Sequence, residues 1–159
     1  MPSRIIAERA FAFAVRIVKL CETLWTRSRA AQSIADQLFD AGTSIGANAR
    51  EAEGAQTKPE FLAKLGISRK ESWETIFWLR LGIVAGVIKR DEASWELDEA
   101  QQLRAMITAA IKTGQSSSWR GGEQCDFAVH QPSAISHQPL TGRGFNPGPF
   151  IRPIHSFHR

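Results

Sequence analysis

Apolar residues recur through the first 113 positions at the three- and four-residue spacing of helices, and no stretch alternates with the period of a strand. Over about Ile5 to Arg27, Phe13, Ile17, Leu20 and Leu24 form one stripe, with Phe11, Val15, Val18 and Trp25 beside it. Arg16, Lys19, Thr23 and Arg27 take the opposite side. This apolar sector is wider than one pair of neighbouring helices requires. A second helix is expected over 30–53, capped by Ser28 or Ser33. Ile34, Leu38, Ala41, Ile45 and Ala52 form its seam, and Gly54 is expected to stop it in the left-handed conformation. A third helix, 58–85, opens on a capping box: Thr57 receives from the backbone and Glu60 reaches back to it, across Lys58 and Pro59. Its main row is Phe61, Leu65, Ile76, Leu79 and Ile83, interrupted by Ser68 and Ser72, with Gly86 as the stop. A fourth, 92–113, carries Leu97, Ala100, Leu103, Ile107, Ala110 and Ile111 inward and is expected to end at Gly114. Short connections favour antiparallel neighbours, so the fold predicted for residues 1–114 is an all-α, up-down four-helix bundle.

Past Gly114 the periodicity stops. Residues 114–159 hold five of the seven prolines and all four histidines, a composition that predicts a disordered tail over 115–159. The tail also changes how the net charge of +4 is read. Residues 1–113 contain 16 Lys and Arg against 14 Asp and Glu, so half the excess lies in the tail. The overall charge is therefore poor evidence for nucleic-acid binding by the bundle. Cys21 falls within an apolar helical pattern and reads as a small buried residue, which suits a reducing compartment. The N-terminal segment interleaves Glu8, Arg16 and Lys19 with its apolar residues and lacks a small-residue cleavage site. A cytoplasmic protein with no membrane contact is expected, since no run reaches the roughly 18 apolar residues of a span.

The stretch AGTSIGANAREAEGAQTKPEF, Ala41 to Phe61, places glycines inside a helix. Each costs about 1 kcal/mol relative to Ala in a helix interior. Gly42, Gly46 and Ala49 share a nearly bare face, which lets another helix approach closely. Asn48, between Ile45 and Ala52, is expected to pair across the bundle or a subunit interface and fix register. On the third helix, Arg69, Trp73 and Arg80 share a face, with Lys58, Lys64 and Lys70 around it. Arginine with aromatics grips single-stranded nucleic acid through phosphate contacts and stacking. The alternative, an interface where arginine stems pack on a buried indole, is favoured because tryptophan on a long bundle helix is usually covered.

Catalytic chemistry has little to stand on. Ser44 and Ser68 have no histidine in the bundle region to activate them, because His130, His137, His155 and His158 all lie in the tail. Glu71 and Glu74 are spaced as in di-metal bundles but lack the accompanying histidines. Cys125, His130 and His137 lack the paired spacing of a zinc site. Glu51 and Glu53 point about 200° apart on a helix, unlike a working acid pair. A protein without enzymatic activity, metal or cofactor is expected.

The run GTSIGANAREAEGAQ, Gly42 to Gln56, and the run EFLAKLGISRKESWETIFWLRL, Glu60 to Leu81, closely resemble a bacterial four-helix-bundle family. That family was first noticed as reading frames within intervening sequences of 23S ribosomal RNA genes. The resemblance covers about residues 5–113. The family is similar in turn to the accessory variability protein of diversity-generating retroelements, a pentameric barrel that binds a reverse transcriptase and nucleic acid. The resemblance implies a homo-oligomer, a pentamer, that serves as a scaffold for RNA, DNA or a nucleic-acid-handling protein. The alternative it leaves open is a protein-only interaction module linked to a mobile element, without nucleic-acid affinity.

Overall fold

A computed structural model describes residues 2–116, which form four helices: α1 Pro2–Trp25, α2 Arg29–Glu53, α3 Lys58–Val84 and α4 Arg90–Ser116. The connections are three to five residues long, so each helix must turn back beside its predecessor. Side-chain pairs confirm the antiparallel course at every seam. Arg50 meets Glu8 between α1 and α2, and Ser68 meets Ile45 between α2 and α3. Trp73 meets Arg104 between α3 and α4, and Arg9 meets Glu99 between α1 and α4. Each helix contacts its two neighbours in the cyclic order 1-2-3-4, the square arrangement of an up-down bundle. No strand occurs among the described residues.

Local signals explain most helix ends. Ser28 caps α2, its hydroxyl accepting from the Ala31 N–H. Thr57 accepts from the Glu60 N–H, while the Glu60 carboxylate reaches back to the N–H of Gln56 and not, as the sequence suggests, to that of Thr57. Gly86, at φ 70°, takes the left-handed turn after α3. Two glycines depart from the sequence-based expectation. Gly54 sits at φ −86°, ψ 0°, so α2 stops without a left-handed residue, and the Gly54 N–H still bonds to Arg50 O. Gly114 lies inside α4, which continues to Ser116. A Cβ on Gly114 would lie 2.9 Å from Leu62 Cδ2, so this glycine admits the first turns of α3 and does not end a helix. Gln115 and Ser116, expected in the tail, belong to α4; the rest of the predicted tail, with Cys125 and the four histidines, lies outside the described residues. At its other end α4 begins two residues earlier than predicted, because the Glu92 carboxylate accepts from the Lys89 N–H and anchors the first turn.

The core runs the length of the bundle. Phe13, Ile17 and Leu24 of α1 pack with Leu38 and Ile45 of α2, Leu65 and Leu79 of α3, and Leu103 and Ile107 of α4. Each such side chain contributes about 1.5–3 kcal/mol on burial. The serines that seemed to interrupt α3 are themselves core positions. Ser68 donates to Ile45 O at 2.9 Å, Ser72 to Arg69 O and Thr75 to Glu71 O, so these small side chains are buried with their hydroxyls satisfied. Cys21 is buried and donates to Ala35 O; burial pushes its thiol up to about 12, leaving it inert.

The polar side of α1 does not simply face solvent. Arg9 makes a bidentate pair with Glu99, Arg16 pairs with Glu96, and Arg27 pairs with Glu92. The first two lie along the α1/α4 seam, and the third ties the connection after α1 to the first turn of α4. The side that does remain in water carries Phe11, 61% exposed, with Ile5 and Val15. The second apolar stripe of α1 is therefore largely uncovered within one chain.

Candidate nucleic-acid interface

The small residues of α2 meet α1 of the same chain. A Cβ on Gly42 would fall 2.8 Å from Ile17 Cγ2, and one on Gly46 would fall 3.2 Å from the backbone oxygen of Ala10. Ala49, also on this face, is buried. The bare face thus brings two helices of one bundle together. Asn48 does not bridge helices: its Nδ2 donates to Ser44 O, one turn back on α2, at 2.9 Å.

The basic candidates of α3 divide between three places. Lys64 pairs with Glu51 of α2, near the N-terminal end of α3 where Lys58 also lies. Arg80 borders an apolar groove of about 440 Å3 formed by Trp73, Ile76, Phe77, Leu81 and Val84. Arg69, Lys70 and Trp73 line a second groove, of about 750 Å3, between α3 and α4. The fourth helix adds Arg104 and Lys112 to that groove, with Thr108, Ala105 and Ala109 forming its floor beside Gly66. Four cations therefore line one depression, and no acidic side chain does. Arg69, Arg104 and Lys112 have no ion-pair partner among the described residues, and Lys70 only grazes Glu71 at 4.0 Å.

Trp73 contradicts the expectation of a buried indole, being 57% exposed. Position 72, not 73, points inward, because the core row of α3 is Leu65, Ser68, Ser72, Ile76 and Leu79. The Arg104 guanidinium carbon lies 3.9 Å from the Trp73 ring centroid. A stacked guanidinium at this distance is attracted by the ring's negative face. Arg104 Nε is buried and has no hydrogen-bond partner among the described residues. Sequence reading missed Arg104 and Lys112 because they lie more than thirty positions from Trp73. Their spacing of eight, just over two helical turns, was the available signal.

The arrangement brings positive charge and an exposed indole together in one groove. Among the described residues no cluster of three or more His, Cys, Asp or Glu side chains could hold a metal ion. No described helix is long and apolar enough to cross a membrane.

The family model described as 23S rRNA-intervening sequence protein matches residues 3–109, which spans α1, α2, α3 and most of α4. The chain belongs to this family. It is also similar, at 34% identity and a TM-score of 0.64, to a crystal structure from Bacteroides thetaiotaomicron of a protein of unknown function from the S23 ribosomal protein family. That likeness covers 70% of this chain and 99% of the other. No curated protein matches the chain.

Proposed function

We propose that this member of the 23S rRNA-intervening sequence protein family is a non-enzymatic, homo-oligomeric scaffold of the cytoplasm that binds nucleic acid through the α3/α4 groove. One observation carries the reading: Arg69, Lys70, Arg104 and Lys112 converge around Trp73 without an acid among them. Such a cluster repels itself unless an anion occupies it, and a phosphate backbone supplies anions at regular intervals. The near-neutral charge of residues 1–113 is compatible with this, because Glu92, Glu96 and Glu99 of α4 pair with arginines on the α1 side while the α3/α4 groove is lined by cations. Self-association is supported by the uncovered stripe of Ile5, Phe11 and Val15 on α1 and by the exposed Leu81 and Val84 at the far end of α3. Two different apolar surfaces on one chain suit a head-to-tail ring. The similarity to the accessory variability protein supports five copies. The full chain, purified and washed in high salt, should run as a ring-sized species by light scattering, with a 260/280 nm absorbance ratio that falls on washing. A monomer free of nucleic acid before the wash would contradict both parts.

A second reading rests on the apolar groove of Ile76, Phe77, Leu81 and Val84, where Val84 is 85% exposed. An uncovered surface of this kind suits a protein partner. On that reading the chain is a protein-only module, and its binding is indifferent to ionic strength.

A further inference from the structure

Trp73 belongs to both grooves of α3. On one side it closes the basic depression of Arg69, Lys70, Arg104 and Lys112; on the other it opens the apolar row of Ile76, Phe77 and Leu81. One face of the indole is taken by the Arg104 guanidinium, yet more than half of the residue remains accessible. Phe77, one turn further along α3, is 56% exposed and packs edge-on against Trp78 at 5.1 Å. Two aromatic rings thus stand in water, one turn apart, the first of them lining the basic groove. A core-forming role explains neither ring.

We infer that the groove selects single-stranded over double-stranded nucleic acid, its sugar-phosphate backbone lying against Arg69, Lys70, Arg104 and Lys112 while bases stack on Trp73 and Phe77. This rests on the nucleic-acid reading above and adds the class of ligand. The cations alone would not discriminate, since both forms carry phosphates. The rings do. Bases in a duplex are covered on both faces by their neighbours and offer nothing to an exposed indole, whereas unpaired bases present a free face that any aromatic side chain can take up. Such stacking tolerates any sequence, because every base has a π-face. The pre-stacked Arg104 holds the Trp73 ring in place and sets positive charge behind it, which suits a base on the ring's open side with its phosphate in the groove.

The test is fluorescence anisotropy with the full chain and two probes: a labelled 20-nucleotide RNA of mixed sequence, and the same strand annealed to its complement. The wild type should bind the single strand about 10-fold or more tightly than the duplex. Trp73→Leu should weaken single-strand binding about 10-fold with little effect on the duplex, and Trp73→Phe should retain most of the preference. Arg69→Glu with Lys112→Glu should weaken both probes. Because Trp73, Arg69 and Lys112 are exposed, circular dichroism should show the same helical fold in every variant. Equal affinity for both probes, lost on charge reversal, would overturn the single-strand inference and leave the basic groove standing. A single-strand preference indifferent to Trp73→Leu would also overturn it. Binding of either probe that ignores the charge reversals would overturn the groove itself.

Discussion

Gly42 and Gly46 show how much one missing methyl group decides. In a helix interior each lowers intrinsic stability, yet the Ile17 side chain and the Ala10 carbonyl occupy the space a side chain would need. At Gly42 the nearest atoms are the branch carbons of Ile17, which are stiff, and at Gly46 the nearest is the backbone oxygen of Ala10, so neither site gives way cheaply. Gly46→Leu should therefore destabilise the fold by about 1–3 kcal/mol, read as a lower urea midpoint at unchanged slope. An unchanged midpoint would mean that α1 does not approach α2 closely there. These glycines were legible in the sequence because a helix rarely keeps two without a packing reason. Trp73 was not, since α3 is apolar around most of its circumference and its polar-looking Ser68 and Ser72 are the buried positions. Residue type alone ranks tryptophan above serine for burial, and here the hydroxyls found backbone carbonyls while the indole found water.

At the level of elements, the side where α1 meets α4 carries the most ion pairs: those of Arg9, Arg16 and Arg27, against Arg50–Glu8 between α1 and α2 and Lys64–Glu51 between α2 and α3. Glu96 is the sharpest case: its side chain is 3% exposed, Arg16 is its ion-pair partner, and its Oε2 has no hydrogen-bond partner. Arg16 also lies over the Trp95 ring, 4.8 Å from its centroid. Arg16→Met removes the partner and leaves a carboxylate buried alone. The expected loss is about 1–3 kcal/mol, less than for a fully buried pair because the Arg16 side chain is half exposed. Arg16→Met with Glu96→Leu should recover much of it, and failure to do so would place the defect elsewhere than in the stranded charge. The Arg27 hydrogen bond holds Glu92 below its ordinary value of 4.5. A carboxylate depressed in the folded state stabilises it above the unfolded value and loses that contribution as pH falls through the lowered one. Melting temperature should accordingly drop more between neutral pH and pH 3 in the wild type than in Glu92→Gln, and parallel curves would contradict this. The sequence marked Arg16 and Arg27 as polar positions of α1, but periodicity does not say whether a polar stripe meets water or an acidic neighbour.

On the scale of the whole bundle, the described residues present an apolar stripe on α1, an aromatic and aliphatic face on α3, and a basic groove between α3 and α4. The bundle and its chain order were legible from spacing and caps, because core rows and short connections leave few alternatives. The groove was legible only in half, since Arg104 and Lys112 reach Trp73 through folding and not through sequence spacing. Assembly has its own test. Phe11→Glu with Val15→Glu places two charges on the α1 stripe and should reduce the light-scattering mass to that of a single chain while helicity is retained. An unchanged mass would remove this stripe from the interface. The nucleic-acid role is tested most directly by the salt dependence of binding of a 20-nucleotide RNA to the full chain and to its Arg69→Glu, Lys112→Glu variant. A groove that neutralises phosphates with four cations should give a logarithmic slope near about −3, at about −0.7 for each phosphate on a single strand, and the variant a clearly shallower one. Identical slopes for the two proteins would show that the RNA is held somewhere other than the α3/α4 groove.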